Sequence, residues 1–171
     1  MDMESFKKTL WEYIQVVLIS VITSFVILYF VQISRVVGES MKPTYHEGDV
    51  VLVDKIFYKQ SEPKYNDIVV VKYGNEQIIK RVIGVEGDKI ELISNELYIN
   101  GQRIEEDYIN EKMEYNDFSY EVPKGKIFIM GDNRNHSKDS RDPSLGQVPY
   151  DAILGKSQIR IFPFSKIGLT K

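Results

Sequence analysis

Three polar stretches carry the residue types that could do chemistry. The first, Gly38-Glu39-Ser40-Met41-Lys42-Pro43-Thr44, offers a serine hydroxyl, which is a poor nucleophile until a base takes its proton. The second, Gln77-Ile78-Ile79-Lys80-Arg81-Val82-Ile83-Gly84, offers Lys80 as that base. The third, Gly131-Asp132-Asn133-Arg134-Asn135-His136-Ser137-Lys138-Asp139-Ser140-Arg141, packs acids, amides, hydroxyls and arginines into one polar loop. An amine is a base only when neutral, and the ordinary lysine pKa is about 10.4. Bringing it near 7.5 takes roughly three units, or about 4 kcal/mol against the charged form. Burial among apolar side chains supplies such a shift, and a nearby carboxylate opposes it. Each residue also has a plainer reading. Ser40 could cap a turn before Pro43, Lys80 could guard a sheet edge, and Asp132, Asp139 and Arg141 could form a surface turn with a weak ion pair.

Composition narrows the classes. The 22 basic and 25 acidic residues among 171 give a net charge of -3, without the basic footprint that nucleic-acid binding calls for. The absence of cysteine excludes a disulfide framework, a thiolate metal site and a cysteine nucleophile. His46 and His136 have no partner at a ligand spacing, so neither a metal nor another cofactor is expected. Residues 13–34 carry no charge, and Val, Leu, Ile and Phe dominate Val16 to Phe30. That length crosses a hydrocarbon core as a helix, which takes roughly 20 residues. Ser20, Thr23 and Ser24 can bond within such a helix. A removable signal peptide has a shorter apolar region and a small-residue cleavage site, and neither is seen here, which leaves a permanent anchor.

The remaining chain reads as strands. Asp49 to Asp54 and Asp67 to Tyr73 are β-branched runs, and Gly74-Asn75 is a hairpin signal joining the second run to Glu76 through Val85. Lys80 then falls in mid-strand, sharing one face with Ile78 and Val82 while Ile79, Arg81 and Ile83 take the other. Lys89 to Ile93, Glu96 to Ile99 and Gln102 to Ile104 form a small meander, and Glu105 to Tyr120 reads as a loop or cap. Lys126 to Met130 delivers the polar loop. Ile153 to Gly155 and Gln158 to Phe164 close the chain, with Phe162 and Phe164 as core or membrane-surface aromatics.

Taken together and in this order behind an anchor, Gly-Glu-Ser-Met-Lys-Pro-Thr, Ile-Lys-Arg-Val-Ile-Gly followed by Gly87-Asp88, and the Gly131 to Arg141 loop resemble the type I signal peptidases of bacteria. The resemblance covers the anchor and nearly all that follows. It implies a serine endopeptidase that cuts signal peptides from secretory preproteins after small residues, with Ser40 as nucleophile and Lys80 as general base. It also implies that Ser137 bonds and orients the lysine, that Asp139 and Arg141 pair to hold the loop, and that Asp132 and Ser140 support them. Asp139 must then be neutralised by Arg141 and kept from the amine. Val36, Met41, Tyr45 and Ile79 match positions lining shallow substrate pockets, Tyr45 replacing a commoner aliphatic residue. Gly38 stands where some members carry a serine that helps bind the oxyanion. The oxyanion here would rely on the Ser40 N–H, and Gly38→Ser would keep activity if no positive φ is needed.

The expected architecture is mainly β: a transmembrane helix followed by an antiparallel catalytic core with a small inserted β subdomain. The divisions are a tail over 1–13, an anchor over 14–34, core over 35–87 and 123–171, and an inserted cap over 88–122. Lys7 and Lys8 against Arg35 and Lys42 place the tail in the cytoplasm and the rest outside the plasma membrane. The expected partners are preproteins emerging from the secretion machinery, and the lipid bilayer. Two other classes fit parts of the pattern. A silent anchored β module would not need both Ser40 and Lys80, and a self-cleaving repressor with a Ser-Lys pair would carry a DNA-binding segment where this chain has its apolar run.

Overall fold

The computed structural model describes residues 2–170. Its first element, α1 (Met3–Phe30), is exposed along its whole length and is long and apolar enough to cross a membrane. Asp2 caps it through the Glu4 N–H. Ser20 and Ser24 donate to the carbonyls of Val16 and Ser20, both at 2.8 Å, so these hydroxyls are satisfied inside the helix. The helix stops at Phe30, earlier than hydropathy alone suggests. Val31 turns to extended backbone, and Val31–Arg35 become strand β1, pairing antiparallel with β2 (Val50–Asp54). Backbone pairing thus claims four residues that the apolar run had assigned to the anchor.

A short helix α2 (Phe57–Gln60) leads to β3 (Ile68–Tyr73) and, across Gly74-Asn75, to β4 (Glu76–Gly84). The next segment folds as a separate sheet of β5 (Lys89–Ile93), β6 (Glu96–Ile99), β7 (Gln102–Arg103) and β8 (Phe118–Glu121), in the order β7-β6-β5-β8. Its turns Ser94-Asn95 and Asn100-Gly101 hold positive φ at both residues, as tight hairpins require. β8 lies in the stretch that reads as loop; it is only four residues long, turns Phe118 and Tyr120 toward the core, and becomes a strand only against β5.

The chain then returns to the main sheet with β9 (Lys126–Met130), β10 (Val148–Pro149), β11 (Ile153–Phe162) and β12 (Gly168–Leu169). The main sheet runs β1-β2-β11-β3-β4-β9-β10, with β12 on β11, and its pairs are antiparallel. The two closing segments expected from sequence are one strand, β11, bent by register shifts that let it serve both β2 and β3. Pro163 ends it.

Three apolar clusters hold these layers. One, from Val36, Met41 and Tyr45 to Val51, Val53, Ile68 and Val70, lies beneath the Ser40 turn. A second joins Val69, Val71 and Val82 to Ile127, Ile129 and Val148. The third mixes Ile83, Phe128 and Met130 of the main sheet with Ile90, Leu92, Leu97, Met113 and Val122 of the inserted one, so the two sheets share a core.

β11 runs close against β2 at Gly155, where a Cβ would overlap the carbonyl oxygen of Asp54. Backbone cannot yield there without losing pairing. Gly155→Ala should therefore destabilise the fold by about 1–3 kcal/mol, read from the denaturant midpoint of the detergent-solubilised chain. An unchanged midpoint would mean that the two strands separate freely.

Candidate active site

The Ser40 turn follows β1 and is tied down from both sides. Val36 N–H donates to the Asp49 carbonyl at 2.8 Å, and Tyr45 N–H to the Met41 carbonyl at 2.8 Å. From the polar loop, the Asn133 N–H donates to the Ser40 carbonyl at 3.0 Å and its side chain to the Glu39 carbonyl at 3.2 Å. Met41 and Tyr45 anchor the turn in the core below. Gly38, at φ +81°, lets the chain swing into the turn with a conformation that other residues adopt only at a cost.

Lys80 approaches from β4. Val69 is its cross-strand partner on β3, and Ile78 and Val82 pack in one cluster while Ile79 joins the one beneath Ser40. β9 pairs with β4 only at Arg81, Val82 and Gly84, so Lys80 is the first residue beyond its reach and is free to turn to Ser40. Its Nζ donates to Ser40 Oγ at 2.6 Å, with the residue only 4 % exposed. Burial pushes the amine down from its ordinary value to about 8. The carboxylates of Asp139 and Asp132 pull the other way, and the Arg141 guanidinium adds to the lowering.

Both carboxylates are held by arginines. Arg141 grips Asp139 through Nε and Nη2, each at 2.8 Å, and Asp139 also accepts the Gly131 N–H at 3.0 Å. Arg81 grips Asp132 through Nε at 2.8 Å and Nη2 at 2.6 Å. Asp132 in turn accepts from Thr44, four residues past Ser40. Ser140 exchanges hydrogen bonds with the Ile129 backbone, both at 3.0 Å, and so docks the loop on β9.

Two placements differ from the sequence reading. Ser137, expected to bond Lys80, has a buried Oγ with no partner among the described residues. It abuts Gly131, where a Cβ would overlap both Ser137 Oγ and the Ser40 carbonyl oxygen, so the lysine's bond goes to Ser40 alone. Tyr45 is 0 % exposed, and its hydroxyl bonds Ser157 at 2.9 Å and Thr170 at 2.6 Å. It supports the turn from beneath and is absent from the groove surface. That groove, about 400 Å³, is walled by Ser34–Val37 and Glu76–Lys80, with Ser40 and Met41 at its end. Val36, Met41 and Ile79 line it, and Gly38 adjoins it in sequence.

Sequence reasoning passed over Arg81, Thr44 and Gly131. An arginine amid isoleucine and valine in mid-strand was a usable sign for the first. It also passed over Arg134, which pairs Glu106 through its two terminal guanidinium nitrogens at 2.5 and 2.6 Å, and over Tyr108, whose ring lies 4.0 Å from the Arg81 guanidinium. Nothing in the aperiodic stretch around Glu106 marks these contacts.

A serine hydroxyl bonded to an enclosed amine of lowered pKa, at the end of an open groove on an antiparallel sheet, is an arrangement able to catalyse acyl transfer with lysine as the base. The comparisons with known proteins bear on this class. The sequence model of the family "Signal peptidase, peptidase S26" matches residues 10–162. The Signal peptidase I of Bacillus licheniformis is 35% identical over 177 residues, covering 96% of this chain and 95% of that protein. The Signal peptidase IB of Staphylococcus aureus (strain Mu50) is 37% identical over 184 residues, covering 94% and 93%. A crystal structure of a signal peptidase I from Enterococcus faecalis V583 is similar at a TM-score of 0.50 and 31% identity, covering 56% of this chain and 97% of that one.

The chain belongs to the signal peptidase family, peptidase S26. It is accordingly a serine endopeptidase, a hydrolase that removes signal peptides.

The positive φ at Gly38 reverses the expectation for Gly38→Ser. No atom lies within 4 Å of a Cβ built there, so space is available and conformation is the constraint. Gly38→Ala and Gly38→Ser should both lose activity, by about 5- to 30-fold for 1–2 kcal/mol of backbone strain. Gly38→Asn should lose less, since asparagine tolerates positive φ. Initial rates on a precursor check the order, and a serine variant as active as wild type would overturn it.

Proposed function

We propose that Ser40 is the nucleophile and Lys80 the general base of a membrane-anchored signal peptidase. The single observation that carries this is the 2.6 Å bond from an enclosed Lys80 to Ser40 Oγ. The substrate lies extended in the groove and adds a strand between the Ser34–Val37 wall and the Glu76–Lys80 wall, as in β-augmentation. Neutral Lys80 takes the Ser40 proton while Oγ bonds to the scissile carbonyl carbon. The resulting oxyanion is met by the Ser40 N–H, which has no acceptor among the described residues. Lys80 then gives the proton to the departing amine nitrogen as the peptide bond breaks. A water next loses a proton to Lys80 and attacks the acyl ester, and the proton returns to Oγ as the signal peptide leaves.

Arg141 and Arg81 hold Asp139 and Asp132 as positioning residues. Ser140 docks the loop, and Ser137 packs against Gly131 on the side of the Ser40 carbonyl. The shallow lining of Val36, Met41 and Ile79 admits small side chains immediately before the cut and two residues earlier, and rejects large ones by clash. α1 crosses the plasma membrane once with its tail in the cytoplasm, so the catalytic sheet meets preproteins leaving the secretion machinery at the outer bilayer surface. Sharing the bilayer with its substrate raises the effective concentration of each.

Purified full-length chain should cleave a preprotein with alanine at both small-residue positions. Ser40→Ala and Lys80→Ala should each lower kcat by at least about a thousandfold. Lys80→Arg should be as inactive as Lys80→Ala, because a guanidinium keeps its proton. Substantial activity in Lys80→Arg would place the base elsewhere. Phe at either small-residue position should abolish cleavage at that bond.

The pH dependence has a definite sign. The competent form is the neutral amine, so below about 8 log kcat/KM should rise by one for each pH unit and then level off. Bound substrate excludes more water and lowers the amine further, so the inflection in kcat should fall at lower pH than that in kcat/KM. A falling limb across this range would refute the assignment of Lys80 as base.

A further inference from the structure

The groove walls are two backbone edges left without a neighbour. β1 pairs with β2, and the Glu76–Lys80 half of β4 pairs with β3 and not with β9. At the end of the groove remote from Ser40 a side-chain bond joins these walls. Gln32 Nε2 donates to Gln77 Oε1 at 3.0 Å. Gln32 shares a face of β1 with the lining residue Ser34 and lies two residues beyond the end of α1. The mouth it spans is therefore the end nearest the membrane. The part of a signal peptide upstream of the cut leads back to its own membrane-embedded apolar stretch, so it enters the groove past this bond.

We propose that Gln32 and Gln77 form a clasp that determines specificity. The extended substrate backbone about four residues upstream of the scissile bond displaces their mutual bond and takes up both carboxamides. The inference rests on the reading that the groove holds this part of the substrate. Gln77 lies three positions before Lys80, about 10 Å of strand at roughly 3.3 Å per residue, which sets the position read. A carboxamide offers a donor and an acceptor, so the pair can engage a backbone C=O and N–H together whatever the side chain. A helical segment cannot satisfy it, because its N–H and C=O groups are already bonded and it rises only about 1.5 Å per residue. The clasp therefore measures the extended stretch that must separate the apolar helix of a signal peptide from its cleavage site.

The test uses the full chain in detergent and quenched synthetic peptides with alanine at the first and third positions upstream of the cut. One set carries three residues upstream, the other six. Gln32→Ala and Gln77→Ala should each raise KM for the six-residue peptides by about 3- to 10-fold, with kcat little changed, and should leave the three-residue peptides as in wild type. The short peptides also show that the variants are folded and active. An equal KM rise for both lengths, or none for the long peptides, would overturn the clasp while leaving the groove reading intact. Val37→Trp probes that reading separately, at a lining position that is 82 % exposed and so free to vary. It should raise KM for both lengths. If it leaves both unaffected, the groove does not hold the upstream residues and the clasp falls with it.

Discussion

An amine works as a base near neutral pH only where water is kept from its charged form, and the proposed catalytic unit is arranged around that constraint at Lys80. Strand β4 carries the lysine between Ile78 and Val82, Val69 faces it, and the Ser40 turn closes over its end. Lowering the pKa from 10.5 to about 8 corresponds to about 3 kcal/mol of discrimination against the ammonium. Two carboxylates close by oppose the shift. Each is therefore gripped by its own arginine, so that the negative charges are spent on Arg81 and Arg141 before they reach the amine.

Those pairs are better understood as positioning devices than as sources of stability. Arg81 and Asp132 are wholly enclosed, and enclosed ion pairs commonly return little more than their desolvation costs. What they supply is geometry. Asp132 reaches the Ser40 segment through Thr44, Arg81 is fixed to the strand that carries Lys80, and Asn133 beside Asp132 holds the Ser40 carbonyl. Arg134, Glu106 and Tyr108 extend the network to the segment that links β7 and β8 of the insert. With the mixed apolar cluster beneath, they make the insert a structural buttress of the polar loop.

The same economy of pairing explains the groove. β9 leaves β4 just before Lys80, which frees the amine to meet Ser40 and at once leaves a strand edge open. Exposed edges invite another strand. For the extended substrate proposed above, an edge that would be a liability elsewhere becomes a means of recognition. The membrane anchor leads directly into the other wall of that groove, so the approach of the substrate and the attachment of the enzyme share one direction.

Much of this was legible in the sequence, and the limits follow from what local pattern can encode. The uncharged run, the β-branched segments and the Gly74-Asn75 turn fix the helix, the main strands and the hairpin because each depends on near neighbours. The three polar stretches point to Ser40, Lys80 and the loop by residue type and order. Local pattern gave no warning that Val31–Arg35 leave the helix or that Phe118–Glu121 form a strand, since both do so only against partners 15 or more residues away. The φ of Gly38, the burial of Tyr45, the unpartnered Ser137 and the reach of Gln32 to Gln77 likewise depend on how the sheet curls. Sequence by itself determined which groups could react and which segments would be strands. The tertiary structure alone decided which edges stay open and how dry the amine becomes, because edge pairing and desolvation are set by contacts between residues far apart in the chain.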